Sequence, residues 1–510
     1  MSSHDPDRPA TPRLLSSSVL LALTLTACGG ERCGGGEAVD TSRRAAVDRH
    51  NVLIAEHKAR SWKRPQAPGV HDGSAAAAYQ HASEGCPHEE LEAASGTLTN
   101  VIGDLRAADP RQPGATPPEG CELEGEALPS GFERLDAAGC ELLKRCAEPL
   151  VELREGTLRQ DATSPLAVWS PWTFEAPGHM RSRQVFIDLA KLLWLDGALA
   201  AARTGTLDPY LDALLAGMRL GSDLRNGADL GPVVAGDLVR QLAADQLRAL
   251  LAHVGLDVIQ LSAVKEGLLH VLAHPDPWPS AIDANILHLS SGLLVDLPQA
   301  ERLPSEDLAT PEAHFMFNPH TAPREATVAL EHFWPAWDTL RAELATEASF
   351  AARLPSYTRY QAAIADIEGL AKIEEVHVYK YDLYRTATET SLCMVLIEVA
   401  SRLLQAEGGP ADVTLAGLDS EVRQRCERDP LTGAPFVLAR DGATLVLRSP
   451  LRDDPLFSEL PEGARRFVPD LYGRLETRWS APLPEPATPD GDADSGDSVA
   501  PDAGPTPPAP

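Results

Sequence analysis

His270 and His274 stand four positions apart on a predicted helix, a spacing that puts two imidazoles on one face and can offer a metal two nitrogen ligands. Val271 follows His270 where an H-E-x-x-H protease needs its glutamate, and two histidines are half of a four-ligand site. Histidine is favoured near helix C-termini in any case, because the last carbonyls attract positive charge. That structural role is the reading the sequence favours, and the pair is kept as the weak candidate for metal. Residues 374–390, EEVHVYKYDLYRTATET, gather His377, Tyr379, Lys380, Tyr381, Asp382, Tyr384 and Arg385 on another predicted helix. A polar cleft would use such types for proton transfer. A solvated helix face carrying snorkelling aromatics uses the same types, and it is the commoner arrangement. Trp169, Trp172 and Phe174, in a proline-rich stretch, suit a ligand groove or, more commonly, a cover over a core. HEELE at 88–92 lacks the second histidine of a zinc protease, and there is no G-x-S-x-G elbow, phosphate loop or dinucleotide fingerprint. No catalytic residue and no cofactor is therefore assigned.

The elements that would position these residues read as helices. Ala and Leu dominate a chain of 510 residues that is 43% hydrophobic and only 5% aromatic, and unbranched side chains lose little freedom in a helix. The expected fold is mainly α, with antiparallel helical hairpins packed as an irregular array and a small C-terminal β-hairpin. Helices are expected over about 41–60, from DGSAAAAYQHAS after a turn at Asp72-Gly73, and over 88–106. One long helix is expected from Ser130, which would cap it with Glu133 three places on. Val185, Leu189, Leu192, Leu193 and Leu199 form one apolar stripe, and Leu211, Leu214, Leu215 and Met218 a second. Val234, Leu238, Leu242, Leu247, Leu250, Leu251 and Val254 form a third. Asp208 and Pro209 mark a helix start, and Gly255 a helix end. Further helices fit 262–274 and 280–294, the second capped by Ser280 with Asp283. A long helix through Pro335 should be kinked there. Two apolar runs joined by Asp441-Gly442 predict a hairpin with a type I′ turn.

At the N-terminus, Arg8 and Arg13 precede an apolar run over 14–27, too short for a helix that must cross roughly 30 Å of hydrocarbon and well suited to an export signal. The tetrad Leu25-Thr26-Ala27-Cys28 resembles the lipobox of bacterial lipoproteins. That resemblance implies cleavage before Cys28 and attachment of acyl chains to its thiol, which would hold the protein to a membrane. The Gly-rich stretch that follows suits a flexible tether. The pair of helices over 184–220 looks like a tetratricopeptide unit, without recurrence at its repeat length. DGSAAAAYQHA, the hairpins over 184–254, and TSLCMVLIEVASRLLQAEGG leading to DPLTGAPFVLARDG resemble a group of uncharacterised, mainly helical exported bacterial proteins. That group carries no known activity.

The expected organisation is a signal peptide (1–27), a tether (28–40), an N-terminal helical region (41–160), a Pro/Trp-rich connector (161–180), the main array (181–428), a β-hairpin with a closing segment (429–479), and a disordered Pro/Asp-rich tail (480–510). Export permits disulfides. Cys140 and Cys146, six apart on one helix, face different ways. Cys121 could reach either of them, and Cys86 could take the other. Cys393 and Cys426 form a C-terminal couple, and Cys33 is left over. A net charge of −29 disfavours nucleic acid as partner, since phosphate binding needs concentrated Lys and Arg. The expected function is a non-enzymatic binding or scaffolding protein, lipid-anchored in the cell envelope on its periplasmic or outer-membrane face, with an envelope protein as partner. The alternative is an envelope hydrolase whose carboxylates and histidines meet only in three dimensions. Convergence of His270, His274 or residues 377–385 with carboxylates in a deep pocket would favour the hydrolase. A shallow polar concave surface would favour binding.

Overall fold

The computed structural model describes residues 48–167 apart from brief gaps at 50–51, 58, 68, 117, 120 and 122–127, then 178–285, 323–365 without 347, 378–453 without 411, and 475–480. After a helical stretch at 52–57 come β1 (His71–Ser74), α1 (Ala75–Gly85) and α2 (His88–Leu105). Next are β2 (Pro113–Ala115), β3 (Leu128–Pro129), α3 (Ala137–Arg145), α4 (Ala147–Gly156) and β4 (Arg159–Asp161). The main array is α5 (Gly178–Thr204), α6 (Asp208–Leu224), α7 (Leu230–His253) and α8 (Val258–Leu272), followed by a helix that starts at 278. The remainder comprises α9 (Pro323–Leu344), α10 (Phe350–Ile364), α11 (Val378–Ala406), α12 (Ser420–Cys426) and strands β5 (Val437–Asp441), β6 (Thr444–Arg448) and β7 (Glu476–Ser480). The fold is mainly helical with a small C-terminal antiparallel sheet.

Two apolar clusters hold it together. The larger joins α1 to α8 with most of α11 and the inner face of the C-terminal sheet. The smaller surrounds Trp278, Phe333, Trp337, Phe350, Tyr357 and Tyr360, tying the helix at 278 to α9, α10 and the start of α11. α6 lies between α5 and α7, and α11 packs on both α7 and α8. α6 and α7 approach closely because neither presents a side chain where they cross: a Cβ on Gly236 would lie 2.3 Å from the Gly221 carbonyl oxygen. Asp229 caps α7, and Asp257 with Gln260 forms a capping box on α8. Gly255 ends α7 with φ +77°, a conformation glycine adopts without a Cβ penalty.

Several local expectations change. The segment from Ser130 is two helices, not one, and Asp136 caps the first by accepting from Gly139 N–H. The reason is Pro149, whose ring would clash with the carbonyl four residues back and which is accommodated only in the first turn of a new helix. His71–Ser74 is a strand parallel to β4 instead of a turn. The helix through Pro335 ends at Leu344, and α10 restarts behind Ser349, whose hydroxyl accepts from Ala352 N–H. Asp276 receives Trp278 N–H at the start of the next helix, so Ser280 is not its cap. α6 starts at Asp208 itself, behind Leu207. The β5–β6 loop is Gly442-Ala443, with positive φ at Gly442 but not at Ala443, which excludes type I′. β7 adds a third strand beside β6. In α7, Leu247, Leu250 and Leu251 are buried as the stripe predicts, but Val234, Leu238 and Leu242 are half-buried while Asp237, Val239 and Arg240 are buried: the first half of the helix is surrounded on nearly all sides, so there the stripe does not mark its inner face. Residues 1–40 with Cys28 and Cys33, the Trp169–Phe174 stretch, His377 and the tail beyond 480 lie outside the described residues.

Candidate functional site

Charged side chains accumulate inside the array, on helices whose neighbouring positions are apolar. Asp223, near the end of α6, is wholly buried and accepts from Arg64 and from the Tyr79 hydroxyl of α1. Arg64 also donates to Arg159 O at 3.0 Å and approaches His274 Nε2 at 3.4 Å. Beside them, Arg225 and Arg240 flank the buried Asp237 at 3.3 and 3.0 Å, and both reach Glu389 of α11. Farther along α11, Asp382 takes a bidentate pair from Arg353 at 2.7 and 3.0 Å, with Arg385 at 2.8 Å and the Tyr357 hydroxyl at 2.8 Å. Arg385 continues to Asp276 at 2.8 Å, and Trp278 Nε1 donates to Tyr357 at 3.1 Å. The short connection carrying His274 and Asp276 thus links the first of these clusters to the third. In the two clusters on α11, four arginines face four carboxylates, so the charge is balanced internally.

Burial and these partners set the proton affinities. Burial raises Asp223 to about 6 and Asp237 to about 7, with Arg64 and Arg225 respectively opposing the rise. Burial also acts to raise Asp382, but Arg353 and Arg385 together outweigh it and hold the carboxyl below its ordinary value. Burial and the nearby Arg64 lower His270 to about 4 and His274 well below the usual histidine range.

The two candidate metal ligands therefore sit in a cationic environment. Their rings meet edge to face with centroids 5.8 Å apart, and α8 ends before His274. No group of three or more His, Cys, Asp or Glu side chains among the described residues is arranged to hold a metal. Of the residues grouped on α11, Asp382 and Arg385 are buried in ion pairs and Tyr379 is buried; Lys380, Tyr381 and Tyr384 are half-buried. That face is not a solvated one. The sequence reading missed Arg64, Asp223, Asp237, Arg240 and Arg353. Asp223, Asp237, Arg240 and Arg353 lie on helices and Arg64 beside a small sheet, and none carries a local signal: their burial follows from which segments pack around them.

A serine–histidine contact is also present. The Gly227 carbonyl can only accept, so His57 Nε2 carries the proton in their 2.9 Å bond, and Nδ1 faces the Ser280 hydroxyl at 3.4 Å. Ser280 is 2% exposed, so the contact ties the N-terminal helical stretch to the helix at 278 and offers no nucleophile to a substrate.

An open concavity of about 440 Å³ lies elsewhere, lined by Arg60, Ser61, Trp62, Lys63, Gly73, Gln160, Asp161 and Thr163. It is open, lined by polar and apolar surface in about equal measure, and it borders the small sheet that β4 forms with β1 and with residues 62–64. The groups with altered proton affinity and the groups lining this opening are different sets. Cys86 is joined to Cys146, Cys121 to Cys140, and Cys393 to Cys426, each with Cα atoms 5.3–5.4 Å apart. No described helix is long and apolar enough to cross a membrane. The fold and site together define a disulfide-linked helical array with a buried charged interior and an open concavity beside residues 60–63. No protein-family model, curated protein or solved structure matches the chain.

Proposed function

We propose that this protein is lipid-anchored in the bacterial cell envelope and binds another envelope component, without catalysing a reaction on it. The concavity beside residues 60–63 is the observation that carries the binding half of the proposal, because it places the exposed Ser61 and Lys63 beside a small sheet where a partner can reach them. The Leu25-Thr26-Ala27-Cys28 tetrad supports the anchor, and three disulfides suit a chain that matures outside the reducing cytoplasm. The pairing of the interior charges supports a structural role for them, since a catalytic acid or base must reach its substrate.

Two measurements test this. Metabolic labelling with an alkyne fatty acid should mark the parent chain and spare Cys28→Ser; equal labelling of both removes the anchor. A photo-reactive benzoylphenylalanine placed at Ser61, which is exposed on the concavity, should crosslink a discrete envelope component in cells, and Thr163→Trp should abolish that product by filling the opening. Crosslinks indifferent to the filling would remove the concavity as the binding surface.

A further inference from the structure

Residues 62–64 are the outer strand of a three-stranded unit in the order 62–64, β4, β1. Arg64 N donates to Gln160 O, and Ala162 N donates to Trp62 O, both at 2.8 Å, on either side of the Lys63–Asp161 pair. In an antiparallel ladder this pattern turns the N–H and C=O of the intervening residue to the opposite side. Lys63 therefore directs both backbone groups away from β4, and neither is bonded to a described residue. Its ammonium likewise has no ion-pair partner among the described residues. Lys63 is also one of the residues that line the concavity, together with Gly73 of β1 and Asp161 of β4.

Resting on the binding reading above, we infer that the partner docks as an extended peptide segment, added as a short fourth strand at Lys63 and carrying an acidic side chain opposite it. Two backbone hydrogen bonds at Lys63 supply the register, as in other strand additions. Pro65 lacks an N–H, which confines the pairing to the residues around Lys63. A lysine on an exposed edge discourages neutral or basic strands, so the same residue that protects the edge selects an acidic partner. Arg60, the other cation of the lining, is already paired with the buried Asp283, so the selection rests on Lys63, while the lining carboxylate, Asp161, accepts from Thr163 N–H and Oγ through Oδ1. The net charge of −29 opposes acidic segments at long range, but ions screen that repulsion beyond about 8 Å at physiological salt.

The test uses the full chain and three probes: acetyl-(Val-Asp)3-amide, acetyl-(Val-Lys)3-amide and glutarate. Residue-resolved hydrogen exchange is read at the Lys63 amide, up to about 5 mM probe, the range in which so small a contact should bind. The acidic peptide should slow exchange there about 5-fold or more, and the basic peptide should not, with the preference inverted in Lys63→Glu, whose exposed site tolerates the change. Slowing by glutarate alone to the same degree would make the site a carboxylate site without strand pairing and overturn the inference. So would protection by both peptides alike, or by neither. If the peptides fail while the Ser61 crosslink still depends on an open concavity, the binding reading stands and the strand inference falls.

Discussion

Asp382 is wholly buried and accepts from two arginines and a tyrosine, so its removal leaves the buried Arg353 without its carboxylate and Arg385 with only the half-exposed Asp276. Asp382→Ala should lower the unfolding free energy in urea by about 3–5 kcal/mol. Asp276→Asn, at a side chain 51% exposed on the same chain of contacts, should cost under about 1 kcal/mol. The interior histidines act through pH. His270 is held at about 4 when folded against 6.5 when exposed, so the unfolded chain binds the extra proton and stability is lost as pH falls from 6.5 towards 4. His270→Gln should make that decline shallower, by about 1–2 kcal/mol at pH 5, in chemical denaturation compared between pH 7 and pH 5. Asp237 and Asp223 act with the opposite sign: their raised values mean the folded chain takes up the proton first, which favours it as pH falls from about 7 and about 6. Subtracting the variant's profile from the parent's therefore isolates the histidine contribution, which the total profile conceals.

At the scale of elements, the helices were legible wherever the signal was local. Gly255 and the apolar stripes of α5 and α6 each depend on residues within a turn of one another, whereas α8, expected from 262, starts at Val258 behind its Asp257–Gln260 capping box. The failures share a cause in contacts from outside the element. Ser349 can restart a helix because the 430–431 backbone carbonyls accept the N–H groups of Phe350 and Ala351, and Asp429 shapes that loop by accepting from Thr390, Leu431, Thr432 and Ser449. The face of α7 was misjudged because a central helix has no polar side for periodicity to reveal. The α6–α7 crossing gives the element-scale prediction. Gly236→Ala forces a Cβ against the Gly221 carbonyl and should destabilise by about 1–3 kcal/mol. Gly103→Ala, where nothing lies within 4 Å, serves as control and should be neutral or slightly stabilising by the same unfolding assay.

Over the whole molecule, the disulfides join segments that packing already brings together. Cys86–Cys146 connects the end of α1 to the junction of α3 and α4, and Cys393–Cys426 connects the middle of α11 to the end of α12. The double replacement Cys393→Ser/Cys426→Ser frees a loop of 33 residues' separation and should cost about 2–4 kcal/mol. An unfolding midpoint that does not move on that replacement would show that the surrounding core alone holds α12 in place.

By itself the sequence determined the helical class and the presence of a strand pair near the end, and it holds the tetrad at 25–28 on which the proposed anchor rests. These rest on periodicity, caps and turn residues, which operate over a few neighbours in the chain. Only the tertiary structure decided that Arg64 meets Asp223, that Asp382 is an interior anion held by Arg353 and Arg385, and that residues 60–63 and 160–163 share one concavity. Arg353 lies 29 residues from Asp382 and Arg64 lies 159 from Asp223, and even for Asp382 and Arg385, three apart on one helix, burial depends on which helix becomes central.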